Sequence, residues 1–360
     1  MKPYFGIDLV RELCGLFGPS GCEEAVRDFI AEQIEGYCDS YRIDRTGNLI
    51  ATIKGRGPDY NEENPDKFLL AAHMDEVGMM ITRIDDAGYL HFDTVGGIDP
   101  RVLCGRQVTI MHGDAAVAGV IASKAIHLQS KEERTKVTPL KKLYIDIGAT
   151  DKADAEQYVS VGDCATFHSD FVTFGKDDRF MKGKALDDRC GCAALIEIMR
   201  ELYRRPTDMP FDVCFAFTRC EEVGISGAAV AAFGVAPKFA VVIDASAVND
   251  VADAAPATRV ATQGKGGMIS LADRGTIYDT AMIRFAEAVA AKHEIPCQIK
   301  QATTGANDAA HVQRSLAGVR VMALSLPTRY IHSASCVAAY EDHEAMCRLV
   351  VAMLRTWKLA

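Results

Sequence analysis

The stretch that most constrains this chain is Arg219–Gly224, which stands directly behind the apolar run Phe211–Thr218. The run is too short for a typical helix and rich in β-branched and aromatic residues, so it predicts a buried strand. In an open α/β sheet, ligands bind in the crevice beyond the carboxyl ends of the strands. Glu221 and Glu222 at such an end suit metal-assisted hydrolysis, because one carboxylate can bind a metal ion while the other takes a proton from water. A glutamate pair alone is also typical of a solvated loop. Whether the pair belongs to a metal site therefore depends on the other residues of the chain.

Composition excludes several classes of protein. With 360 residues, 49% hydrophobic and 25% charged, the chain can bury a large core and form two domains. The formal net charge of −9 argues against a nucleic-acid or anionic-membrane partner. No apolar run is long enough to span a membrane and the start lacks a signal segment, so we expect a cytoplasmic protein. The 12 cysteines are scattered and predict reduced, mostly buried thiols rather than a disulfide framework.

Strand and helix patterns alternate through most of the chain and predict an α/β fold, with a mixed, mainly parallel sheet flanked by helices. Ser20 and Glu23 have capping-box spacing, so the second helix is expected to start there and to end at Gly36. The other predicted helices are Ile7–Phe17, one that opens at Asp187-Asp188, Gly227–Phe233, Thr280–His293 and Tyr340–Leu354. The predicted strands are a pair around Thr46-Gly47-Asn48, then Phe68–Ala72, Phe211–Thr218, Phe239–Ile243, Cys297–Ala302 and Val319–Ser325.

The middle of the chain has a different texture. Between Val77 and Asp163, short β-like runs are separated by glycines and turn residues, which is typical of a small barrel. We therefore predict a discontinuous catalytic domain of residues 1–76 and 165–360, with a β-rich, barrel-like domain of residues 77–164 inserted into it.

Six polar residues share one place in this pattern. Each stands at or just beyond the end of a predicted strand, or where a loop enters a helix; they are His73, Asp187, Glu221, Glu222, Asp244 and His332. The carboxyl ends of parallel neighbours meet at one edge of a sheet, so these side chains are expected to converge. Mixed histidine and carboxylate ligands suit Zn²⁺ or Co²⁺, and their number favours two ions that share a carboxylate. Asp75 can accept the second ring N–H of His73 and orient it.

The same residues resemble a known family. The blocks that carry the resemblance are Ala72–Gly78, Ala185–Arg189, Glu221–Gly224, Val242–Asp244 and Pro327–Ser333, with a further match at His127-Leu128 and Leu143–Ala149. They look like the M42 metallopeptidases, the glutamyl or tetrahedral (TET) aminopeptidases, which are sometimes labelled endoglucanase M or cellulase. The resemblance runs over nearly the whole chain.

The resemblance implies a role for each matching residue. His73, Asp187, Glu222, Asp244 and His332 match metal ligands, and Asp187 would bridge two divalent ions, Zn²⁺ or Co²⁺. Glu221 would be the general base and Asp75 would orient His73. The inserted domain would be a dimerisation domain, and the chain would form a homo-oligomer, either a dimer or a hollow tetrahedral dodecamer that admits only peptides.

Three stretches depart from the family pattern: Ser226, Ala245–Ala247 and Thr304–Asp308. They leave every ligand and the base in place but leave the preferred N-terminal residue open. Three other functions also stay open. A deacylase or carboxypeptidase with the same metals could hold a carboxylate at Arg329, the chain could be a non-catalytic metal-binding assembly protein, or it could be a glycoside hydrolase, which needs two carboxylates and no metal.

Overall fold

The computed structural model describes residues 3–358. Within that range the chain forms eight α-helices: α1 Gly6–Gly15, α2 Glu24–Ile34, α3 Lys152–Ala155, α4 Leu186–Arg204, α5 Ser226–Val235, α6 Thr280–Lys292, α7 Ala309–Val312 and α8 Tyr340–Arg355. The strands are β1 Ser40–Ile43, β2 Leu49–Ile53, β3 Asp66–His73, β4 Gly78–Ile84, β5 Leu90–Val95, β6 Gln107–His112, β7 Ala115–Ile121, β8 Ile145–Asp146, β9 Cys164–Phe167, β10 Val172–Phe174, β11 Phe180–Gly183, β12 Phe211–Thr218, β13 Phe239–Ala247, β14 Gly267–Ile269, β15 Cys297–Ile299, β16 Arg320–Arg329 and β17 Cys336–Ala339.

Eleven of these strands form one mixed sheet, in the order β1-β2-β12-β3-β13-β16-β17-β11-β10, with β14 and β15 branching from β16. The four central strands β12, β3, β13 and β16 are parallel to one another. They read as continuous apolar runs because helices cover both faces of a parallel sheet. His73 pairs in register with Thr218, and Asp244 pairs with Ser325, so the polar residues lie at one edge. The expected convergence of the strand ends is thus confirmed.

The other six strands close an antiparallel barrel in the order β4-β5-β8-β7-β6-β9. The barrel has an apolar core of its own, which includes Met79, Ile110 and Phe167 and is distinct from the core of the sheet. The predicted fold class, a helix-flanked mixed sheet with an inserted barrel, is confirmed. The division of the chain at residues 77 and 164 stays a prediction; the last barrel strand, β9, occupies Cys164–Phe167.

One local prediction is wrong. The capping box of α2 does not form, because Ser20 donates its hydroxyl hydrogen to Asp75 and Glu23 accepts from Cys220 N and the Arg219 side chain. The helix begins at Glu24 without a side-chain cap. Both residues are therefore used by tertiary contacts instead of by their own helix.

Strand prediction missed the short strands β10, β11, β14 and β17, which have three or four residues each. Runs of that length carry too little periodicity to be recognised, and β11 and β17 lie far apart in the chain although they pair with each other. Two further features concern the described residues. No helix among residues 3–358 is both long and apolar enough to cross a membrane. All 12 cysteines are free thiols, six of them buried and six partly buried.

Candidate active site

The structure brings together all the residues that the sequence singled out. His73 ends β3, Asp187 stands in the first turn of α4, and Asp244 lies within β13. Glu221 and Glu222 follow β12, and His332 follows β16. A cavity of about 350 Å³ opens between these strand ends; its walls include Asp187, Glu221, Glu222, Asp244 and His332.

Asp187 lies between the two histidines. Its Oδ1 is 3.1 Å from Nε2 of His73, and its Oδ2 is 3.1 Å from Nε2 of His332. A second carboxylate flanks each ring: Asp244 Oδ1 lies 3.8 Å from the His73 nitrogen, and Glu222 Oε1 lies 3.3 Å from the His332 nitrogen. The site therefore consists of two halves that share one carboxylate, as a bridged pair of ions requires.

The other nitrogen of each ring has an acceptor of its own. Nδ1 of His73 lies 3.1 Å from the backbone oxygen of Asp75, and Nδ1 of His332 lies 2.7 Å from the backbone oxygen of Gly97. A carbonyl oxygen can only accept, so each Nδ1 carries a proton, and in a neutral ring Nε2 then presents its lone pair. Two lone pairs aimed at the oxygens of Asp187 would repel them unless a proton or a metal cation lay between. The chemistry of the donor set therefore fits metal ions.

The buried charges around the two histidines also fit bound metal ions. Seven carboxylates surround the two imidazoles, namely Asp75, Asp187, Asp188, Glu221, Glu222, Asp244 and Asp308. Burial raises the pKa of Glu221 to about 9 and that of Glu222 to about 7, and it raises the pKa of Asp244 well above its usual range. Oε1 of Glu222 is buried and accepts no hydrogen bond from residues 3–358. This excess of buried negative charge is what bound cations would neutralise.

Asp187 and His332, in contrast, have pKa values that are shifted toward their charged forms. Burial opposes the ionisation of Asp187, but hydrogen bonds from His332 and His73 hold its pKa below the usual range. Burial also disfavours the charged form of His332, yet its contact with Asp187 raises the imidazole pKa to about 9.

The carboxylate of Asp75 supports the site through several contacts. Its Oδ1 accepts from Glu221 N at 3.0 Å, and its Oδ2 accepts from Glu222 N at 3.1 Å and from the Ser20 hydroxyl at 2.6 Å. Its Oδ1 also lies 3.4 Å from Nδ1 of His73. The same carboxylate thus contacts the histidine and fixes the loop that carries both glutamates.

Unusual backbone conformations bring these side chains into place. Ala185, Cys220 and His332 have φ of 55°, 52° and 59°, in the left-handed region that non-glycine residues rarely adopt. Such residues cost about 1–3 kcal/mol each and cluster at functional sites. The peptide bond between Asp187 and Asp188 is cis. Asp188 points below the site, where it accepts from Gly191 N at 2.9 Å and from His73 N at 3.3 Å.

Sequence reasoning missed several supporting residues. Arg189 is fully buried and donates to the backbone oxygens of Met74, Leu13 and Gly18. Asp308, buried beside Glu221, accepts a hydrogen bond from the Thr218 hydroxyl. Arg189 could have been found, because a charged side chain directly before the apolar run Cys190–Ile196 of a predicted helix is unusual.

Comparison with known proteins gives a consistent result. The model of the M42 glutamyl aminopeptidase family matches residues 47–349. The chain is 30% identical over 360 residues to the lysyl aminopeptidase of Pyrococcus furiosus, an alignment that covers 98% of this chain and 97% of the relative.

Solved structures agree. A TET aminopeptidase from a marine-sediment Thaumarchaeota archaeon is 33% identical, with a TM-score of 0.92 over 98% of this chain and 96% of that one. The TET1 peptidase of Pyrococcus horikoshii is 35% identical, with a TM-score of 0.84 over 97% of this chain and 99% of that one. The resemblance seen in the sequence is confirmed: the chain belongs to the M42 glutamyl aminopeptidase family and is a peptide hydrolase.

Proposed function

We propose that this protein is an aminopeptidase that removes N-terminal residues from peptides with the help of two divalent metal ions, Zn²⁺ or Co²⁺. His73, Asp187, Glu222, Asp244 and His332 would hold the ions, with Asp187 between them. The observation that carries the proposal is the paired geometry of the histidines, whose Nε2 atoms both face Asp187 at 3.1 Å while their Nδ1 atoms face carbonyl oxygens.

Glu221 is the proposed general base. Its carboxylate lines the cavity and makes no hydrogen bond to residues 3–358, whereas its neighbour Glu222 lies against His332. When bound, the ions would polarise the peptide carbonyl and lower the pKa of water toward neutrality. Glu221 would take the proton from the attacking water and then donate it to the nitrogen of the leaving amine. The two adjacent glutamates would thus have different tasks.

We further propose a preference for an acidic N-terminal residue. Lys300 lines the cavity, and its ammonium donates to the backbone oxygen of Thr304 at 2.9 Å, which leaves donor capacity for a substrate carboxylate. Asp273, which lines the same cavity, already accepts from Gly275 N and Thr276 N and from the Tyr278 hydroxyl. Lys300 would therefore pair with the side-chain carboxylate of an acidic N-terminal residue.

The proposals about oligomeric state and partners are supported by a related structure. The TET1 peptidase of P. horikoshii can assemble into a tetrahedron or a large octahedral shell. We propose that this chain also forms a homo-oligomer, with the barrel as the dimerisation domain, that its substrates are peptides, and that it works in the cytoplasm. No nucleic acid or membrane is proposed as a partner.

Arg329 is already paired, so it does not favour the deacylase or carboxypeptidase alternative, in which it would bind the carboxylate of the substrate. Arg329 donates from Nε to Asp250 Oδ1 at 2.7 Å and from a terminal nitrogen to Oδ2 at 2.9 Å. Such a two-point pair occupies the face of the guanidinium that would bind a carboxylate. The arginine is a structural residue of the loop that leads to His332.

The test is hydrolysis of a panel of aminoacyl-p-nitroanilides by protein stripped with a chelator and then reloaded with Zn²⁺ or Co²⁺. We expect activity only after reloading, with the glutamyl and aspartyl substrates preferred. Glu221→Gln should bind metal as the wild type does and lose almost all turnover, while the exposed Glu287→Gln on α6 should be unaffected. Full activity of the stripped protein would refute the role of the metals, and substantial turnover by Glu221→Gln would remove Glu221 from the role of base.

A further inference from the structure

A second group of metal-ligand side chains lies away from the active site. It is formed by Glu197 on α4 and by His343 and Cys347 on α8. Glu197 stands ten residues after Asp187, which is roughly 15 Å along a helix. His343 and Cys347 are one helical turn apart and therefore share a face of α8. The group is separate from the catalytic residues in both sequence and space.

We propose that Glu197, His343 and Cys347 form a further binding site for a divalent transition metal ion, Zn²⁺ foremost. One atom of each residue takes part in every contact. Glu197 Oε2 lies 3.0 Å from His343 Nε2 and 3.6 Å from Cys347 Sγ, and the nitrogen and sulfur are 3.8 Å apart. A tetrahedral zinc ion would separate its nitrogen and oxygen ligands by about 3.3 Å and its sulfur from either by about 3.5 Å. The three donors thus already stand near the corners that such an ion requires.

A nucleophilic cysteine relay would need a different arrangement. In a relay, one nitrogen of the imidazole faces the nucleophile and the other faces the acid. Here the carboxylate and the thiol both face Nε2, while Nδ1 of His343 is buried and has no hydrogen-bond partner among residues 3–358. The donors converge on one point between them, which is the geometry of a chelate.

The donor types decide which ion would bind. A thiolate and an imidazole suit Zn²⁺ and Co²⁺, whereas Ca²⁺ and Mg²⁺ prefer oxygen ligands. Glu197 and Cys347 also line an open cavity of about 550 Å³, so solvent can supply a fourth ligand. On binding, the Cys347 thiol would release its proton to solvent, and Nε2 of His343 would give up the proton that it donates to Glu197. The sulfur would then bind as the thiolate and the nitrogen through its lone pair.

The ion would connect three helices. Glu197 and the pair on α8 belong to helices that pack against each other, and the second oxygen of Glu197 accepts from Gly6 N, at the start of α1, at 3.0 Å. Binding free energy at such a site adds to the free energy of unfolding. The proposed role is therefore structural, and it does not depend on the catalytic proposal.

Cobalt reports on this site alone. The proposed catalytic ligands include no cysteine, so a thiolate-to-Co²⁺ charge-transfer band in the near ultraviolet can arise only where a cysteine binds the ion. We expect the chelator-stripped full-length protein to show this band on Co²⁺ titration. Cys347→Ser should lose the band and bind one metal ion fewer per subunit, with unchanged peptidase activity. Glu197→Gln should retain the band but bind Co²⁺ at least about tenfold more weakly.

Cys297→Ser is the matched control, because Cys297 is also partly buried but lies outside the group. That variant should retain the band and the metal content of the wild type. Absence of the band in folded wild-type protein with excess Co²⁺ would overturn the proposal. A band that survives Cys347→Ser, or equal metal content in the two proteins, would overturn it as well.

Discussion

Asp75→Asn would test whether one carboxylate organises the whole site. The substitution keeps the size of the side chain but replaces one acceptor oxygen by an amide donor. Because both oxygens of Asp75 accept hydrogen bonds, either orientation of the amide turns a donor toward the N–H of Glu221, or toward the N–H of Glu222 and the Ser20 hydroxyl. At least one buried donor is then left without an acceptor.

The magnitude follows from these contacts. An unsatisfied buried donor costs about 1–3 kcal/mol, and the surviving bonds lose the extra strength of a charged acceptor. We therefore expect the free energy of unfolding to fall by about 2–4 kcal/mol. Loss of the charge beside Nδ1 of His73 should also weaken the histidine as a ligand, so metal affinity or kcat/KM should fall by about 10–100-fold.

The measurements are urea unfolding, metal titration of the stripped protein and kcat/KM on the preferred substrate. The matched control is Asp279→Asn, since Asp279 likewise accepts a backbone N–H and contacts a basic side chain, but at the start of α6. That variant should lose some stability and retain wild-type metal affinity. If Asp75→Asn kept both metal affinity and kcat/KM within twofold of the wild type, the positioning argument would be refuted.

Other parts of the molecule give further predictions. Lys300→Glu should replace the proposed cationic partner of an acidic substrate by an anion, so the ratio of kcat/KM for glutamyl over lysyl substrates should fall by about tenfold or more; an unchanged ratio would place the specificity elsewhere. Arg189→Met should lower the free energy of unfolding by about 3–5 kcal/mol in a urea titration, because the buried Glu76 loses one of its two cationic partners; a loss below 1 kcal/mol would contradict this. The hydrogen bond from Arg320 holds the pKa of Asp279 below its usual range, so its contribution to stability is present at neutral pH and is lost as the pH falls through the folded-state pKa. The stability difference between wild type and Asp279→Asn should accordingly shrink below about pH 4, and a difference that grew there would show the opposite sign of the pKa shift.

Much of the fold was predictable because its signals are local. The buried strand Phe211–Thr218 was predicted to the residue, and α8 was predicted to within one residue of its end. Continuous apolar runs and helical spacing are properties of single segments, and in this chain they agree with the packing. The short strands β11 and β17 were missed, because runs of four residues carry little periodicity and the two strands, which pair with each other, lie far apart in the chain.

The candidate site was likewise predictable only in part. His73, Asp187 and Glu222 were identifiable because strand ends in a parallel sheet converge by rule, and because their side chains suit metal ions. The roles of Ser20 and Glu23 could not be predicted from the sequence. Capping-box spacing concerns neighbours in sequence, whereas the partner of Ser20 lies about 50 residues away and that of Glu23 about 200.

The sequence by itself determined the sheet, the barrel and the chemical types of the residues at the sheet edge. Only the tertiary structure decided which atom of each residue faces which. It placed both Nε2 atoms against Asp187, directed Lys300 into the cavity, and brought Glu197 to the face of α8 that carries His343 and Cys347. The reason is physical: secondary structure follows from interactions within a few residues, but a binding site needs atoms positioned to within an ångström. That precision comes only from the packing of segments that are far apart in the chain.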